Sequence, residues 1–523
     1  ARNCFNSSAS IGFNPYLKHY SVKGDQTLDV VSRWNDYYLP MMAHHGMYLH
    51  ELAQPWGNVI MAKAEVRHPD DDPDKIRLIA TQNSEAEKAA ELIIKPIVYN
   101  MRRIKWFAVG NSLFSNGIPN VLAALNHPAV KAYPSSFRKM PTCIDPPDGC
   151  FYIESDISGL DYSITPEDYH FVSVLRALFF DWKNVDDITR ELFVKIFTQE
   201  NAWSNIKLVQ MFEGIWWLVV GIVLSGNKNT TFIDTCIVVL STITSIALCI
   251  APDRWWKVVK YIGMVFYGDD ELLRIPMKYL PYFCSAARFQ GETAVFDQEL
   301  WDKRHPGKAV FPDRFVDAMK RCNLVTKASQ THLYLPKPDH RDRMFTWLEE
   351  AKVWKVKSPG VRFLQKYYVK VDQQYKYLHP DSPVWYKIVL WRPFDDYVVK
   401  LPVSPYEWNH PSGDPYAGMY AKALGLMIDS MGNSDAHLLA KLVCMKLKKD
   451  HPSCVSKAIA HFRYTERNVV RACGYIDDNI LNWLPDHESS YLVVQGMSDP
   501  NFESAYKGQP GIYGIPLHAV YSA

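Results

Sequence analysis

The stretch that most constrains this chain is Tyr261-Ile262-Gly263-Met264-Val265-Phe266-Tyr267-Gly268-Asp269-Asp270-Glu271-Leu272-Leu273-Arg274. Two apolar runs of strand character flank a glycine and two adjacent carboxylates. Gly268 sits where a tight turn between antiparallel strands needs a positive φ, which a Cβ disfavours. The stretch therefore predicts a β-hairpin with Asp269 and Asp270 at its tip. Side chains alternate along strands, so the two carboxylates need not point the same way. One can ligate a cation while its neighbour supports it. Adjacent carboxylates on an apolar hairpin repel each other unless a cation lies between them. Mg²⁺ answers that need, because it takes oxygen ligands and shares its coordination shell with phosphates. Taken alone, Gly-Asp-Asp is equally an acidic surface turn.

Two stretches upstream bear on the choice. Cys150-Phe151-Tyr152-Ile153-Glu154-Ser155 reads as a strand, with Asp156 at its end and Asp161 just past it. Ser225-Gly226-Asn227-Lys228-Asn229-Thr230-Thr231-Phe232-Ile233-Asp234 reads as a small-residue turn leading into a helix. Asp-x₄-Asp, then Ser-Gly-x₃-Thr, then Gly-Asp-Asp resembles, in that order, motifs A, B and C of viral RNA-directed RNA polymerases. The joint pattern is far more specific than any piece of it. The resemblance implies that Asp156 and Asp269 hold two Mg²⁺ ions, with Asp270 assisting and Mn²⁺ as an alternative ion, as two-metal phosphoryl transfer requires. It also implies nucleotide contacts for Asp161, Ser225, Thr230 and Asp234, and an RNA contact for Gly226.

Size and composition fit such an enzyme. A chain of 523 residues is expected to hold about two to four structural units. At 48% hydrophobic and 13% aromatic it can bury a large core. The 58 basic and 56 acidic residues nearly cancel, which excludes a basic field over the whole protein. A nucleic-acid site must then be a local basic channel. The ten cysteines form no CxxC pair and read as reduced core thiols rather than a disulfide framework or a zinc site. The first residues carry no secretory signal pattern. Ile233 to Ala251 is apolar apart from Asp234 and several Thr and Ser, and approaches a membrane span in length. It follows the Ser-Gly turn directly, with Asp234 expected in its first turn, so it is expected to be a buried helix under a sheet. The chain begins without Met and reads as a fragment or a processed piece of a polyprotein.

Further stretches extend the resemblance over roughly residues 10–370. Ser8-Ala9-Ser10-Ile11-Gly12-Phe13-Asn14-Pro15-Tyr16 is a loop that resembles motif G, which steers the template; Ser10 and Gly12 are its RNA-binding candidates. In the family a sizeable segment precedes this loop, which implies that part of the fingers is missing. Asn58 to Met61 and Ile76 to Ala80 read as strands joined by an acidic loop. Lys63, Arg67, Lys75 and Arg77 punctuate that unit, which resembles motif F, a basic ribbon that grips the triphosphate. Solvated hairpin charges are the plainer reading of the same residues. Glu85 to Arg103 has helical periodicity that Pro96 is expected to kink. Tyr169 to Trp182 reads as an apolar helix under the sheet, and Lys183 to Ile222 as more helix with the pair Trp216-Trp217. Asp313 to Cys322 reads as an amphipathic helix. Asn323 to Gln330 then resembles motif D, where relatives often place a Lys that protonates the leaving pyrophosphate. The best-aligned position holds Gln330; Lys327, three residues earlier, is the nearby candidate. Arg362-Phe363-Leu364-Gln365-Lys366-Tyr367-Tyr368 resembles motif E, where Lys366 would meet the primer backbone. Lys441, Lys446, Lys448 and Lys449 read either as channel lining or as a solvated helix face.

The resemblance implies an α+β right-hand polymerase: an antiparallel palm sheet backed by helices, with fingers and a mostly helical thumb. Fingers are expected over 1–149, palm over 150–372 with a fingers insertion near 185–220, and thumb over 373–523. Tyr267-Gly268-Asp269-Asp270-Glu271 is calicivirus- or picornavirus-like, whereas the Ser-Gly motif is more partitivirus-like, so the resemblance is to the superfamily. It implies ribonucleoside triphosphates, template and product RNA, and other viral replication or capsid proteins as partners. It also implies no transmembrane segment, and a place in the host cytoplasm within a replication complex or virion. A reverse transcriptase and an inactive RNA-binding relative are the rivals. Reverse transcriptases carry an aromatic gate five residues after the first Asp, where this chain has Asp161, an acceptor for a ribose 2′-OH. Many relatives place Asn where this chain has Asp234. Two carboxylates at one hydroxyl cannot both ionise cheaply, so one is expected to stay protonated unless Ser225, Thr230 or Lys228 intervenes. The competing expectation is that Asp234 caps the helix that begins near it.

Overall fold

A computed structural model describes residues 29–30, 32–48, 51, 57–62, 78–81, 84–101, 106–108, 121, 124–125, 149–180, 182–212, 214–226, 229–251, 253–327, 330–335, 346–347, 361–364, 366–370, 388–391, 394–398, 400–402, 413–430 and 433–465. These form an α+β protein built on mainly antiparallel sheets.

The first sheet starts from β1 (Asn58–Ala62) and β2 (Leu78–Thr81), an antiparallel pair that matches the two expected strands. Helix α1 (Ser84–Met101) follows and runs through Pro96. Ala86, Ala89, Ala90, Ile93, Ile94 and Ile97 are buried, a helical spacing that turns one stripe to the core.

Strand β3 (Cys150–Asp156) forms where Cys150 to Ser155 read as a strand. Helix α2 (Pro166–Leu178) opens with a capping box between Thr165 and Asp168 and packs against the two helices that follow. Helix α3 (Asp187–Asn205) then gives way to β4 (Ile206–Phe212) and β5 (Ile215–Val220). The sequence led us to expect more helix here. Instead the β-branched and aromatic run folds back at Gly214, whose φ is +77°, and pairs with itself. Strand β4 also pairs in parallel with β1, giving a sheet of order β2-β1-β4-β5. Residues far apart in sequence thus share one sheet.

Helix α4 (Thr230–Ile250) is the one helix among the described residues apolar and long enough to cross a membrane, and 61% of its apolar window is buried inside the molecule. It packs on β6 (Gly263–Tyr267), which pairs with β7 (Asp270–Pro276). A small hairpin, β8 (Ala287–Gln290) and β9 (Thr293–Phe296), precedes helix α5 (Asp313–Arg321). Helix α5 turns Phe315, Ala318 and Met319 inward and packs against α4.

With β10 (His332–Tyr334), the central sheet has the order β10-β3-β7-β6. Its two faces differ because side chains alternate. Phe151, Ile153, Leu273 and Ile275 point to the α4 side and join Phe232, Ile233, Ile237 and Ile246 in the main core. Each such buried side chain is worth about 1.5–3 kcal/mol relative to exposure. The other face carries Glu154, Asp156 and Asp270.

A third sheet joins β11 (Thr346–Trp347), β12 (Arg362–Phe363), β13 (Lys366–Lys370) and β14 (Ile388–Trp391). Helices α6 (Pro415–Asp429), α7 (Ser434–Asp450) and α8 (Ser453–Thr465) follow as a packed trio.

Candidate active site

The site is built on the β6–β7 hairpin. Tyr267 and Asp270 pair across a two-residue turn of Gly268 and Asp269. Gly268 has φ +61°, and Asp269 is not among the residues of positive φ, the pattern of a type II′ turn. The Gly268 amide donates to Thr235 Oγ1 at 2.8 Å, so α4 fixes the turn from one side. On the other side Phe266 exchanges backbone bonds with Trp106 and Ala108 at 2.8 and 2.9 Å.

Asp156 ends β3 directly opposite Asp270, the first residue of β7. Cross-strand partners point to the same face, so these two carboxylates are neighbours. Asp269, at the tip, stands near enough for its charge to raise Asp156. The structure thus brings Asp156 and Asp269 together. A third segment closes the group. Ser158 N donates to Val325 O at 2.6 Å and Lys327 N to Asp156 O at 2.8 Å, laying residues 325–327 along the end of β3. Lys327 Nζ lies 2.6 Å from Asp156 Oδ1 and 3.9 Å from Asp269 Oδ2. It is Lys327, rather than the better-aligned Gln330, that reaches the carboxylates.

Burial dominates the electrostatics. It raises Asp156 above the usual carboxylate range, although the hydrogen bond and charge of Lys327 pull the other way. Asp270 is pushed up to about 7 by burial, then by the charges of Asp269 and Asp156. Such a group of acids gains from a cation, and its lysine contact already supplies one. Mg²⁺ is commonly held by one or two carboxylates together with substrate phosphates. Asp156 and Asp269, sharing one ammonium, fit that donor set. Among the described residues no three His, Cys, Asp or Glu side chains form a metal-binding group, so further ligands would be water and substrate oxygens.

Beside the carboxylates opens a cavity of about 300 Å³ lined by Thr231, Asp234, Tyr267, Gly268, Asp269, Asp270 and Leu364. Asp234 is buried, and its Oδ1 has no hydrogen-bond partner. Its carboxyl faces that of Asp161 closely enough for each to shift the other. Burial, then the charges of Asp161 and Asp269, hold Asp234 well above the usual carboxylate range. Burial raises Asp161 too, while the hydrogen bond from Asp234 lowers it. Burial of two facing carboxyls thus favours their sharing one proton. The capping alternative is overturned: α4 begins at Thr230 after the N-cap Asn229, which places Asp234 beyond the first turn, where a side chain no longer reaches the free amides.

The loop before α4 is clamped from two sides. Ala80 N donates to Ser225 O at 2.8 Å, and Gly226 packs so close to β2 that a Cβ there would lie 2.7 Å from Ala80 O. Its φ of +105° also demands glycine. Thr230 Oγ1 donates to Leu224 O at 2.8 Å, so this hydroxyl closes the loop instead of bridging Asp161 and Asp234.

Lys366 is engaged elsewhere than expected. Its ammonium donates to Asp429 at the end of α6 and ties β13 to the helical trio. Ser10, Gly12, Lys63, Arg67, Lys75, Arg77 and Lys228 lie outside the described residues.

Two buried polar clusters were not anticipated. Glu200 on α3 pairs with Arg176 on α2 at 2.8 Å and accepts from Ser204 Oγ at 2.7 Å and from the Asn229 side chain, anchoring the loop before α4. Behind the hairpin Glu271 accepts from Ser155 Oγ and Thr242 Oγ1, and burial pushes it up to about 7. The signal for the second was present: a Glu following Asp270 alternates back toward the apolar face of the sheet. Compared with protein-family models and with curated proteins, the chain matches none.

Proposed function

We propose that the chain is a template-directed RNA polymerase of the RNA-virus type, with the reaction centred on Asp156, Asp269 and Asp270. The observation that carries this reading is the gathering of carboxylates from three distant segments around one hairpin tip. Asp156 comes from β3, Asp269 and Asp270 from the hairpin, and the Asp161–Asp234 pair stands beside them. In this reading the central sheet with α4 and α5 is a palm, the sheet containing β1 and β4 belongs to fingers, and α6 to α8 form the thumb.

The reaction joins a primer 3′-oxygen to the α-phosphorus of a ribonucleotide, breaks the bond to the bridging oxygen and releases pyrophosphate. Mg²⁺ held by Asp156 and Asp269 would supply charge neutralisation and a more acidic 3′-hydroxyl. The chain itself supplies position. The turn, fixed by Thr235, holds Asp269 against Asp156. The Asp161–Asp234 pair supports a role in sugar selection: protonated Asp234 engages Asp161, which keeps lone pairs to accept from a ribose 2′-OH. A deoxyribonucleotide would leave that acceptor unpaired, at about 1–3 kcal/mol. Lys327, paired with Asp156, would carry a proton toward the leaving group. Template and product RNA and ribonucleoside triphosphates are the partners this reading requires, within a viral replication complex or virion in the host cytoplasm.

Template-dependent extension by the full chain tests the proposal, with ribonucleotides or deoxyribonucleotides and with or without Mg²⁺. Mg²⁺-dependent ribonucleotide addition supports it. Preferred addition of deoxyribonucleotides favours a reverse transcriptase, and no addition favours an inactive RNA-binding relative.

A further inference from the structure

Lys327 occupies the position where a cation is needed. Its ammonium donates to Asp156 Oδ1 at 2.6 Å and lies 3.9 Å from Asp269 Oδ2, with its side chain 28% exposed. The backbone that carries it cannot easily withdraw. Ser158 N bonds Val325 O, Lys327 N bonds Asp156 O, and Ile157 bridges Thr326. On the far side Lys327 O accepts from Gln330 N at 3.0 Å and from Thr331 Oγ1 at 2.8 Å. Only the flexible stem is free to move.

An ammonium on Asp156 Oδ1 disfavours a divalent ion on the same two carboxylates. The ammonium hydrogen bond uses an Asp156 oxygen that a metal would ligate at roughly 2.0–2.1 Å. Two like-charged cations so close would also repel strongly. We propose that Lys327 is a built-in counter-cation that competes with the divalent ion for Asp156 and Asp269. Metal loading then requires the side chain to swing out while its backbone stays along β3. The displaced ammonium is released beside the same carboxylates, where incoming phosphate is the nearest anion. The lysine thereby ties metal loading to nucleotide arrival: a triphosphate favours the displaced state because it offers the ammonium a new partner.

This inference rests on the metal-binding reading of Asp156 and Asp269, and its test separates the two. Mn²⁺ binding to the full chain without nucleotide is measured by paramagnetic resonance and calorimetry. The proteins are the wild type, Lys327→Met, Lys327→Gln, Lys327→Arg and Asp156→Asn. Lys327→Met and Lys327→Gln are expected to bind Mn²⁺ roughly tenfold tighter or more, because a like charge at this range is worth at least that much. Lys327→Arg, which keeps the charge, is expected to bind no tighter than wild type, and Asp156→Asn to lose binding. In the same two neutral variants Mn²⁺ should raise the melting temperature more than it does in wild type. Either neutral variant suffices if the other fails to fold. Unchanged or weaker Mn²⁺ binding in the neutral variants, with binding still lost in Asp156→Asn, overturns the competition and leaves the metal reading standing. Equal behaviour of Asp156→Asn and wild type overturns both.

Discussion

Glu271 offers a sharp test of how the hairpin is supported, independent of any activity. Its carboxyl is buried on the face opposite Asp156 and Asp270 and accepts from Ser155 and Thr242. Burial raises it from 4.5 to about 7. A raised acid binds more protons in the folded than in the unfolded chain. The stability it contributes is complete below the unfolded value and is lost as pH rises toward the folded one. The window therefore runs from 4.5 to about 7. At roughly 1.4 kcal/mol per unit, the loss across it is about 3 kcal/mol. Glu271→Gln removes the ionisation, keeps one acceptor and forfeits one hydrogen bond worth about 1 kcal/mol. The variant is expected to be about 2 kcal/mol more stable than wild type at pH 8 and nearly equal to it at pH 5. Urea denaturation at both pH values, without divalent ions, measures this. A difference between variant and wild type that does not change with pH would refute the reasoning, because Glu271 would then be ionised in the folded chain.

Two further expectations concern the cavity and the turn. Asp234→Asn should retain preference for ribonucleotides, because the amide can donate to Asp161 as the protonated acid does; Asp234→Ala should weaken that preference by about 5- to 150-fold, the equivalent of roughly 1–3 kcal/mol. Single-turnover incorporation of matched ribo- and deoxyribonucleotides measures the ratio, and intact discrimination in Asp234→Ala would contradict the pocket role. Thr235→Val should leave the Gly268 amide without its acceptor, lowering stability by about 1–3 kcal/mol and slowing nucleotide addition. Urea midpoints and elongation rates check it, and wild-type behaviour in both would show that the turn stands without α4.

Much of the site was legible because its chemistry is local in sequence. Gly268 fixes a turn, the apolar runs beside it fix two strands, and so Asp269 and Asp270 had to share a tip. Asp156 was legible as the last residue of a buried strand. The hairpin at 206–220 was not, because its apolar pattern suits a helix until Gly214 breaks it, and because its partner β1 lies far away in sequence. Lys327 was only half legible. Its spacing from α5 gives no orientation, and its place follows from backbone bonds to β3 that only the folded chain makes. The same holds for Arg176, Glu200 and Asn229, which meet across two helices and a loop. The Asp161–Asp234 pair shows the opposite case. Motif spacing brought the residues together, but whether Asp234 capped α4 depended on where that helix began, a matter of a few residues.

The central claim is that Asp269 serves nucleotidyl transfer through a shared cation. Asp269→Asn removes the charge with little change in shape and leaves the turn residue Gly268 in place. Primer extension on an RNA template with ribonucleotides and Mg²⁺, by wild type and variant at equal folded concentration, tests it most directly. The account predicts robust extension by wild type and none by Asp269→Asn, with the two proteins melting alike. Near-normal extension by Asp269→Asn in Mg²⁺ would contradict it.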